Sequence, residues 1–263
     1  MTSPFCDDAI KELLFDRRNL EPLEDLISAE ESKLKESGVP SFDANAERIP
    51  PIKEVREKIF PELKEGVNRI LEFSEYLGVP VLYCKNPTRL KVRGEPAIAC
   101  YNGLIKAIKI TNIPFKNLVR ALSHEYVHAI QDYKKYLFLQ EKVFREGLAC
   151  GVEDCLIENS FPRELFTHSR YNVVQRRTNF LNEVYLFICS NLDVSPKKIS
   201  QESLNLWQAL NHPSPFRDVL NKTYLANSSH QLGTAFFALS ELKHGPSVYA
   251  RALRRDEGIL ELH

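Results

Sequence analysis

The sequence has no excess of charge of either sign. Its 263 residues include 35 lysines and arginines against 35 aspartates and glutamates. No lysine/arginine block is long enough to form an electrostatic footprint for nucleic acid. We therefore expect no nucleic-acid partner and no attraction to an anionic membrane surface. With 43% apolar and 27% charged residues, the composition is typical of a soluble globular protein with enough chain for a sizeable core.

Long apolar runs and paired cysteines are also missing. No uninterrupted apolar stretch reaches the roughly 18 residues that span a bilayer. The first residues, MTSPFCDDAIKELLFDRR, carry acidic side chains where a secretion signal needs a basic region followed by an apolar run. The cysteines form no C-x-x-C pair; they are Cys6, Cys84, Cys100, Cys150, Cys155 and Cys189. These absences predict no membrane insertion, reduced thiols and a cytoplasmic location.

The first hundred residues predict helices followed by a small sheet. Residues 4–37 and 54–78 have apolar positions at helical spacing, and the linker-like segment between them contains Pro50 and Pro51, which end any helix. The run VPVLYCK is typical of a β-strand. In PAIACYNGLIKAIKI, two arms of alternating apolar residues flank Asn102-Gly103, which predicts a hairpin.

The rest of the chain is helical in pattern, so the predicted fold class is α+β and mostly helical. The predicted helices cover residues 115–136, 139–158, 170–191, 200–211, 215–226 and 229–255. The order is therefore helices, a few strands, and then many helices. The small sheet comes immediately before the helix that carries the most distinctive motif.

That motif, LSHEYVHAIQD, contains two histidines four residues apart. At about 100° per residue, His124 and His128 lie roughly 40° apart around a helix, and Glu125 lies roughly 60° beyond His128 on the same side. Zinc binds imidazole nitrogens at about 2.0–2.1 Å, and i, i+4 histidines can reach one ion, which places the glutamate beside the water at the open position. The pattern predicts a zinc site. The alternative is a pair of structural histidines inside the core.

A third ligand is predicted on the next helix. A catalytic zinc takes three protein ligands and keeps a fourth position open, and FREGLACGVEDCL supplies Glu146. Glu146, Cys150 and Glu153 share one helix face at i, i+4 and i+7. Glu153 is expected to accept the hydrogen bond that fixes a histidine tautomer, whereas Cys150 is expected to be a core residue.

Two glycines of the same helix predict a close approach between helices. Gly147 and Gly151 are four residues apart and remove side chains from one side of the helix. The chain after His128 is short enough to fold this helix back as a hairpin. We therefore expect it to pack closely against the histidine-bearing helix.

HEYVH followed by EGLACGVE resembles the gluzincin metallopeptidases, the thermolysin-like and aminopeptidase-like enzymes. In that family H-E-x-x-H supplies two zinc ligands, and the first glutamate of a downstream E-G-x-A-x-x-x-E supplies the third. The resemblance implies a zincin-like catalytic domain over residues 79–263. It says nothing about residues 1–78, which are predicted from their apolar spacing to form a helical N-terminal extension. It also implies one zinc ion held by His124, His128 and Glu146.

The resemblance further implies a zinc peptidase that acts on a peptide or protein substrate. Metal-activated water would attack the peptide bond with Glu125 as general base, and the absence of a G-A-M-E-N exopeptidase signature favours an endopeptidase. The segment HQLGTAFFALSELKHG is similar to a later family helix whose tyrosine stabilises the transition state, and His230 stands in the place of that tyrosine. Thermolysin-like members use a histidine for this task, so His230 is the expected oxyanion donor, with Tyr224 and Tyr101 as alternatives. The other interpretation of His230 is an ordinary residue at the start of a helix, after Ser228 and Ser229.

The strand LIKAIKI is expected to be the edge strand against which zincins align substrate backbones. Two other functions are weighed against the peptidase. One is an inactive zincin-fold scaffold that binds metal and serves as a protein-interaction module. The other is a purely helical binding protein in which H-E-x-x-H occurs by chance.

Overall fold

The structure, a computed structural model, describes residues 4–38, 44–85, 90–92, 95–135, 142–159, 163–197 and 229–262. These residues are mostly helical and include a small three-stranded sheet, which confirms the predicted mixture of elements. Within the described ranges, no helix combines the length and the apolarity needed to cross a lipid bilayer. The predicted helices over 200–211 and 215–226 lie outside the described residues.

The described chain contains the following helices and strands. The helices are α1 (Pro4–Phe15), α2 (Leu20–Ser37), α3 (Ala44–Glu47), α4 (Ile52–Glu54), α5 (Phe60–Ile70), α6 (Phe115–Tyr133), α7 (Lys142–Asn159), α8 (Arg163–Asn191), α9 (Ser229–His244) and α10 (Val248–Leu253). The strands are β1 (Val81–Tyr83), β2 (Lys91–Val92), β3 (Glu95–Pro96), β4 (Ala99–Asn102) and β5 (Ala107–Ile110). A π-helical turn, Val55–Ile59, joins α4 to α5.

The chain forms two compact units. The first draws on three separate stretches, 1–36, 138–148 and 174–263, and within it α1 packs against α9. The second comprises 37–137 and 149–173 and contains the three-stranded sheet. The predicted boundary after residue 78 falls within the second unit, and the division into an extension and a catalytic domain stays a prediction.

The helical lead-in is present, but it consists of two helices. The side chain of Asp16 accepts a hydrogen bond from the backbone N–H two residues later, which starts a short 3₁₀ turn between α1 and α2. Asn19 follows in this turn and is buried, and its Nδ2 donates to the carbonyl oxygens of Glu12 at 2.9 Å and Leu13 at 3.1 Å. The amide therefore satisfies the last carbonyl groups of α1.

The predicted helix ending at Gly78 is too long, because α5 ends two turns earlier. Glu72 adopts a left-handed backbone conformation with φ of 49°. The N–H of Phe73 then bonds to the carbonyl of Asn68 at 2.8 Å, which is the closing bond of a Schellman motif without its usual glycine. Phe73 is buried, so burial of an aromatic ring offsets the cost of the left-handed residue.

The hairpin predicted around Asn102-Gly103 is confirmed: β4 and β5 pair antiparallel. The loop contains four residues. Asn102 Oδ1 accepts a hydrogen bond from the N–H of Leu104 at 3.1 Å, and the positive φ falls on Lys106 at 50° rather than on the glycine. The side-chain amide of Asn102 thus organises the turn.

The expectation that LIKAIKI forms an edge strand is wrong. The order of the sheet is β1-β5-β4, and β5 is central because β1 joins it in parallel on its other side. The edge next to the hairpin is β4. The N–H of Thr111 donates to the carbonyl of Ile98, and antiparallel pairs alternate between bonded and non-bonded, so the backbone groups of Ala99 and Tyr101 point outward from this edge.

The predicted helix over 229–255 is two helices. Gly245 has φ of 73°, and its N–H bonds to the carbonyl of Glu241 at 2.8 Å, which ends α9. Pro246 follows and cannot continue the helix. The predicted helix over 170–191 is present and begins earlier, as α8.

Helix α6 is buried over most of its circumference, as its sequence predicts, and packs against α5, β4 and β5. Tyr126 is fully buried, and its ring meets Phe60 edge-on with centroids 5.6 Å apart. The burial of the Tyr126 ring raises the pKa of its hydroxyl to about 12. This packing fixes the rotation of α6 and therefore the direction of its polar side chains.

Candidate metal centre

The two histidines of α6 point toward the same place. His128 is buried and His124 is half-buried, and their rings meet edge-on with centroids 4.8 Å apart. Their Nε2 atoms lie 3.2 Å from each other. The arrangement follows from one helical turn separating the residues.

The opposite ring nitrogens are each bonded to an acceptor. His124 Nδ1 lies 3.3 Å from Glu153 Oε2, and His128 Nδ1 lies 2.7 Å from Gln131 Oε1. A carboxylate oxygen and an amide carbonyl oxygen both accept, so in the tautomer that suits these contacts each Nδ1 carries the proton and each Nε2 presents a lone pair. The contact predicted for Glu153 is present. Gln131 was not predicted, although its position three residues after His128 on the same face was a usable signal.

In this tautomer the two Nε2 lone pairs face each other, an arrangement that a metal ion bound between them would stabilise. Ligand nitrogens bound tetrahedrally at 2.0–2.1 Å lie about 3.3–3.4 Å apart. The separation of the Nε2 atoms of His124 and His128 is therefore close to the spacing that a tetrahedral metal ion requires. The Nδ1 contacts also match the partners that usually orient metal-binding histidines.

Helix α7 brings further ligand atoms to these histidines. His124, Cys150 and Glu153 offer ligand atoms that all lie within 4.8 Å of one another. Cys150 and Glu153 are fully buried. The histidine pair therefore has a carboxylate and a thiol beside it within the second unit, and Glu146 stays the third ligand predicted from the sequence.

Arg120 adds a positive charge behind the histidines. Its Nε lies 3.7 Å from Glu153 Oε1, and the other oxygen of this carboxylate faces His124. A buried carboxylate needs compensation by cations or hydrogen bonds, and Arg120 supplies one such cation to Glu153. The sequence reasoning missed Arg120; its position four residues before His124, on the same helix face, was the available signal.

Glu125 faces the edge strand. Its Oε2 accepts a hydrogen bond of 2.5 Å from the outward-pointing N–H of Tyr101. The carboxylate also affects Cys100, since burial raises the pKa of that thiol and the charge of Glu125 raises it further. Glu125, the general base predicted from the sequence, therefore already has one of its two carboxylate oxygens in a hydrogen bond.

Tyr101 does not suit the role of oxyanion donor. Its hydroxyl donates to Asp132 Oδ2 at 2.7 Å. Burial, and then this bond to a carboxylate, raise the pKa of the hydroxyl well above its usual value. The proton of the hydroxyl is therefore already used in a hydrogen bond to Asp132, near the C-terminal end of α6. Tyr224, the other alternative, lies outside the described residues.

His230 lies beside the predicted third ligand. Its Nε2 is 3.2 Å from Glu146 Oε2, and 41% of its side chain is exposed. The neighbouring glycines bring α7 and α9 together: a Cβ built on Gly147 would lie 2.6 Å from the Cα of Gly233. The expectation that Gly147 lets α7 approach the histidine helix is therefore wrong, because the backbone it meets belongs to α9.

Gly233→Ala is expected to lower the free energy of unfolding by about 1–3 kcal/mol, the usual cost of overpacking. The added Cβ would lie 2.5 Å from the Cα of Gly147, and backbone atoms cannot turn aside. A matched control is Gly66→Ala in α5, whose Cβ meets only the end of the Leu156 side chain. Chemical denaturation measures both variants, and an equal or larger loss for Gly66→Ala would contradict the prediction.

Comparisons with known proteins give no relative for this chain. No protein-family profile, no curated protein sequence and no solved structure matches it.

Proposed function

We propose that this chain is a zinc-dependent peptidase that cleaves peptide bonds in peptide or protein substrates. The observation that carries the proposal is the 3.2 Å separation between the Nε2 atoms of His124 and His128, with each Nδ1 bonded to an acceptor. Two Nε2 atoms directed at one point, with both Nδ1 atoms facing acceptors, are the arrangement that suits a shared metal ion. The resemblance of HEYVH and EGLACGVE to the gluzincins is the second support.

The side chains proposed to hold one zinc ion are His124, His128 and Glu146. Two neutral imidazoles and one carboxylate are a donor set of catalytic zinc sites, which keep a fourth position open. The chemistry that zinc would supply there is a bound water with its pKa lowered toward neutrality and a polarised substrate carbonyl group. The protein contributes the fixed directions of the ligand atoms, because Glu153 and Gln131 orient the two rings.

Glu125 is the proposed general base. Its Oε2 accepts the N–H of Tyr101, so Oε1 is the oxygen assigned to take the proton of the attacking water. The water oxygen bonds to the carbonyl carbon, the C–N bond breaks, and Glu125 delivers the proton to the nitrogen of the leaving amine. General acid–base groups of this kind typically contribute a factor of about 10²–10⁴ in rate.

The proposed place for the substrate backbone is the outer edge of β4. The outward groups of this edge belong to Ala99 and Tyr101, and the N–H of Tyr101 is the one that Glu125 accepts. An extended peptide that pairs with the remaining groups would add a strand to the sheet. This replaces the strand predicted from the sequence, which lies at the centre of the sheet.

The second candidate function is an inactive metal-binding scaffold. The observation in its favour is the 2.5 Å hydrogen bond between Tyr101 N and Glu125 Oε2, which occupies half of the carboxylate that a peptidase uses as base. The two candidates predict the same bound metal. They differ in whether the chain hydrolyses peptide bonds.

The test is metal analysis of the purified protein, combined with hydrolysis of an unfolded, fluorescently labelled protein. The peptidase proposal expects about one zinc per chain and cleavage that a chelator abolishes and added zinc restores. Zinc without cleavage would favour the scaffold. A chain that binds no stoichiometric zinc would contradict both functions and indicate a chance motif.

A further inference from the structure

The gluzincin resemblance assigns His230 to the developing oxyanion, but its contacts indicate another role. We infer that His230 is a positioning residue that orients Glu146 as a zinc ligand, an inference that rests on the proposed function. The His230 Nε2 atom lies 3.2 Å from Glu146 Oε2. Metal-binding carboxylates, like metal-binding histidines, are commonly fixed by a second hydrogen bond.

The contact between His230 and Glu146 is enforced by the backbone. Gly147 follows Glu146 directly, and Gly233 lies one turn after His230; a Cβ on either glycine would clash with the other residue's backbone. Phe144 and Phe236 pack edge-on across the same pair of helices, with centroids 4.9 Å apart. The helix crossing therefore sets the distance between the imidazole and the carboxylate.

The two roles of His230 compete for one proton. A neutral imidazole has a single N–H. When Nε2 donates to Glu146 Oε2, the proton is directed at the carboxylate and Nδ1 is left as an acceptor. An oxyanion donor would need the same proton directed at the substrate. In the structure Nε2 is the ring nitrogen that faces Glu146 Oε2, so this is the nitrogen whose proton the carboxylate would accept.

The two roles also predict different losses. If His230 orients Glu146, its removal weakens zinc binding, and substitutions of such outer partners typically cost about 10–100-fold in metal affinity. If His230 donates to the oxyanion, its removal lowers kcat and leaves zinc affinity unchanged. Zinc affinity can be measured without a known substrate, which separates the inference from the peptidase activity.

The experiment is competition between the full chain and a fluorescent zinc chelator. His230→Leu is expected to weaken zinc binding about 10–100-fold, whereas His230→Gln retains an N–H donor near the position of Nε2 and is expected to recover most of the affinity. His244→Leu is the matched control on the same helix, because its imidazole faces the carbonyl of Glu261. Circular dichroism checks that each variant is folded.

A double-mutant cycle makes the test specific. In a Glu146→Gln background, His230→Leu is expected to cause little further loss of zinc affinity, because the carboxylate through which it acts is gone. Wild-type affinity in the His230→Leu variant, or equal losses in both backgrounds, would overturn the inference while leaving the zinc site in place. A wild-type chain without zinc would instead overturn the proposed function, and this inference with it.

Discussion

Glu125→Gln should lower the rate of peptide hydrolysis by about 10²–10⁴-fold while the chain keeps its zinc. The amide cannot take a proton from water at neutral pH, but its size and its contact with the N–H of Tyr101 are preserved. Because Glu125 is not a proposed ligand, zinc content per chain should not change. The measurements are kcat on an unfolded protein substrate and zinc content by elemental analysis.

The matched control for this substitution is Glu158→Gln on α7, a half-buried glutamate that is neither a proposed zinc ligand nor part of the group formed by His124, Cys150 and Glu153. It should retain full activity. If Glu125→Gln hydrolyses peptides as fast as the wild-type chain, Glu125 is not the base. If Glu125→Gln loses its zinc as well, the carboxylate has a structural role that the proposed mechanism does not include.

His128→Ala should abolish stoichiometric zinc binding. The substitution removes one of three proposed zinc ligands. Removing a residue that only hydrogen-bonds to a ligand typically lowers metal affinity by about 10–100-fold, so removing the ligand itself should lower it further. It also leaves the buried amide of Gln131 without the ring that it contacts at 2.7 Å, so a loss of about 1–3 kcal/mol in unfolding free energy is expected. Chelator competition and denaturation measure the two effects separately.

Gln131→Leu is the comparison that separates the two effects of His128→Ala. It removes the acceptor that orients the ring of His128 but keeps the ligand, so zinc affinity should fall by only about 10–100-fold. An unchanged zinc affinity in His128→Ala would show that the imidazole is a core residue. The pair would then be the structural histidines of the alternative interpretation.

Local patterns in the sequence predicted the local parts of this fold. The hairpin around Asn102 and the polar face of α6 depend on residues close together in the chain, and both are present. The approach of the His124 and His128 rings to each other could also be predicted, because i, i+4 spacing fixes directions on a helix. Their role as zinc ligands, and that of Glu125 as general base, stay predictions.

The errors arose where distant residues decide the structure. The central position of β5 depends on parallel pairing with β1, which no hairpin signal contains. The close partner of Gly147 is Gly233, far along the chain, so spacing within α7 could not identify it. The early end of α5 depends on the burial of Phe73, which makes a left-handed Glu72 tolerable. In each case tertiary packing overrode the local preference.

The first unit is assembled from three separate stretches of the chain. This arrangement determines when the unit can be completed during synthesis. Its N-terminal helix α1 packs against α9, which begins at residue 229, so this contact cannot form until α9 has left the ribosome. Contacts between residues so far apart must also overcome the entropy of closing a long loop. The second unit needs residues 37–137 and 149–173, all of which precede α9, so it can be completed while translation continues. His128, His124 and its partner Glu153 would thus be ordered on the nascent chain before α9 carries His230 to Glu146.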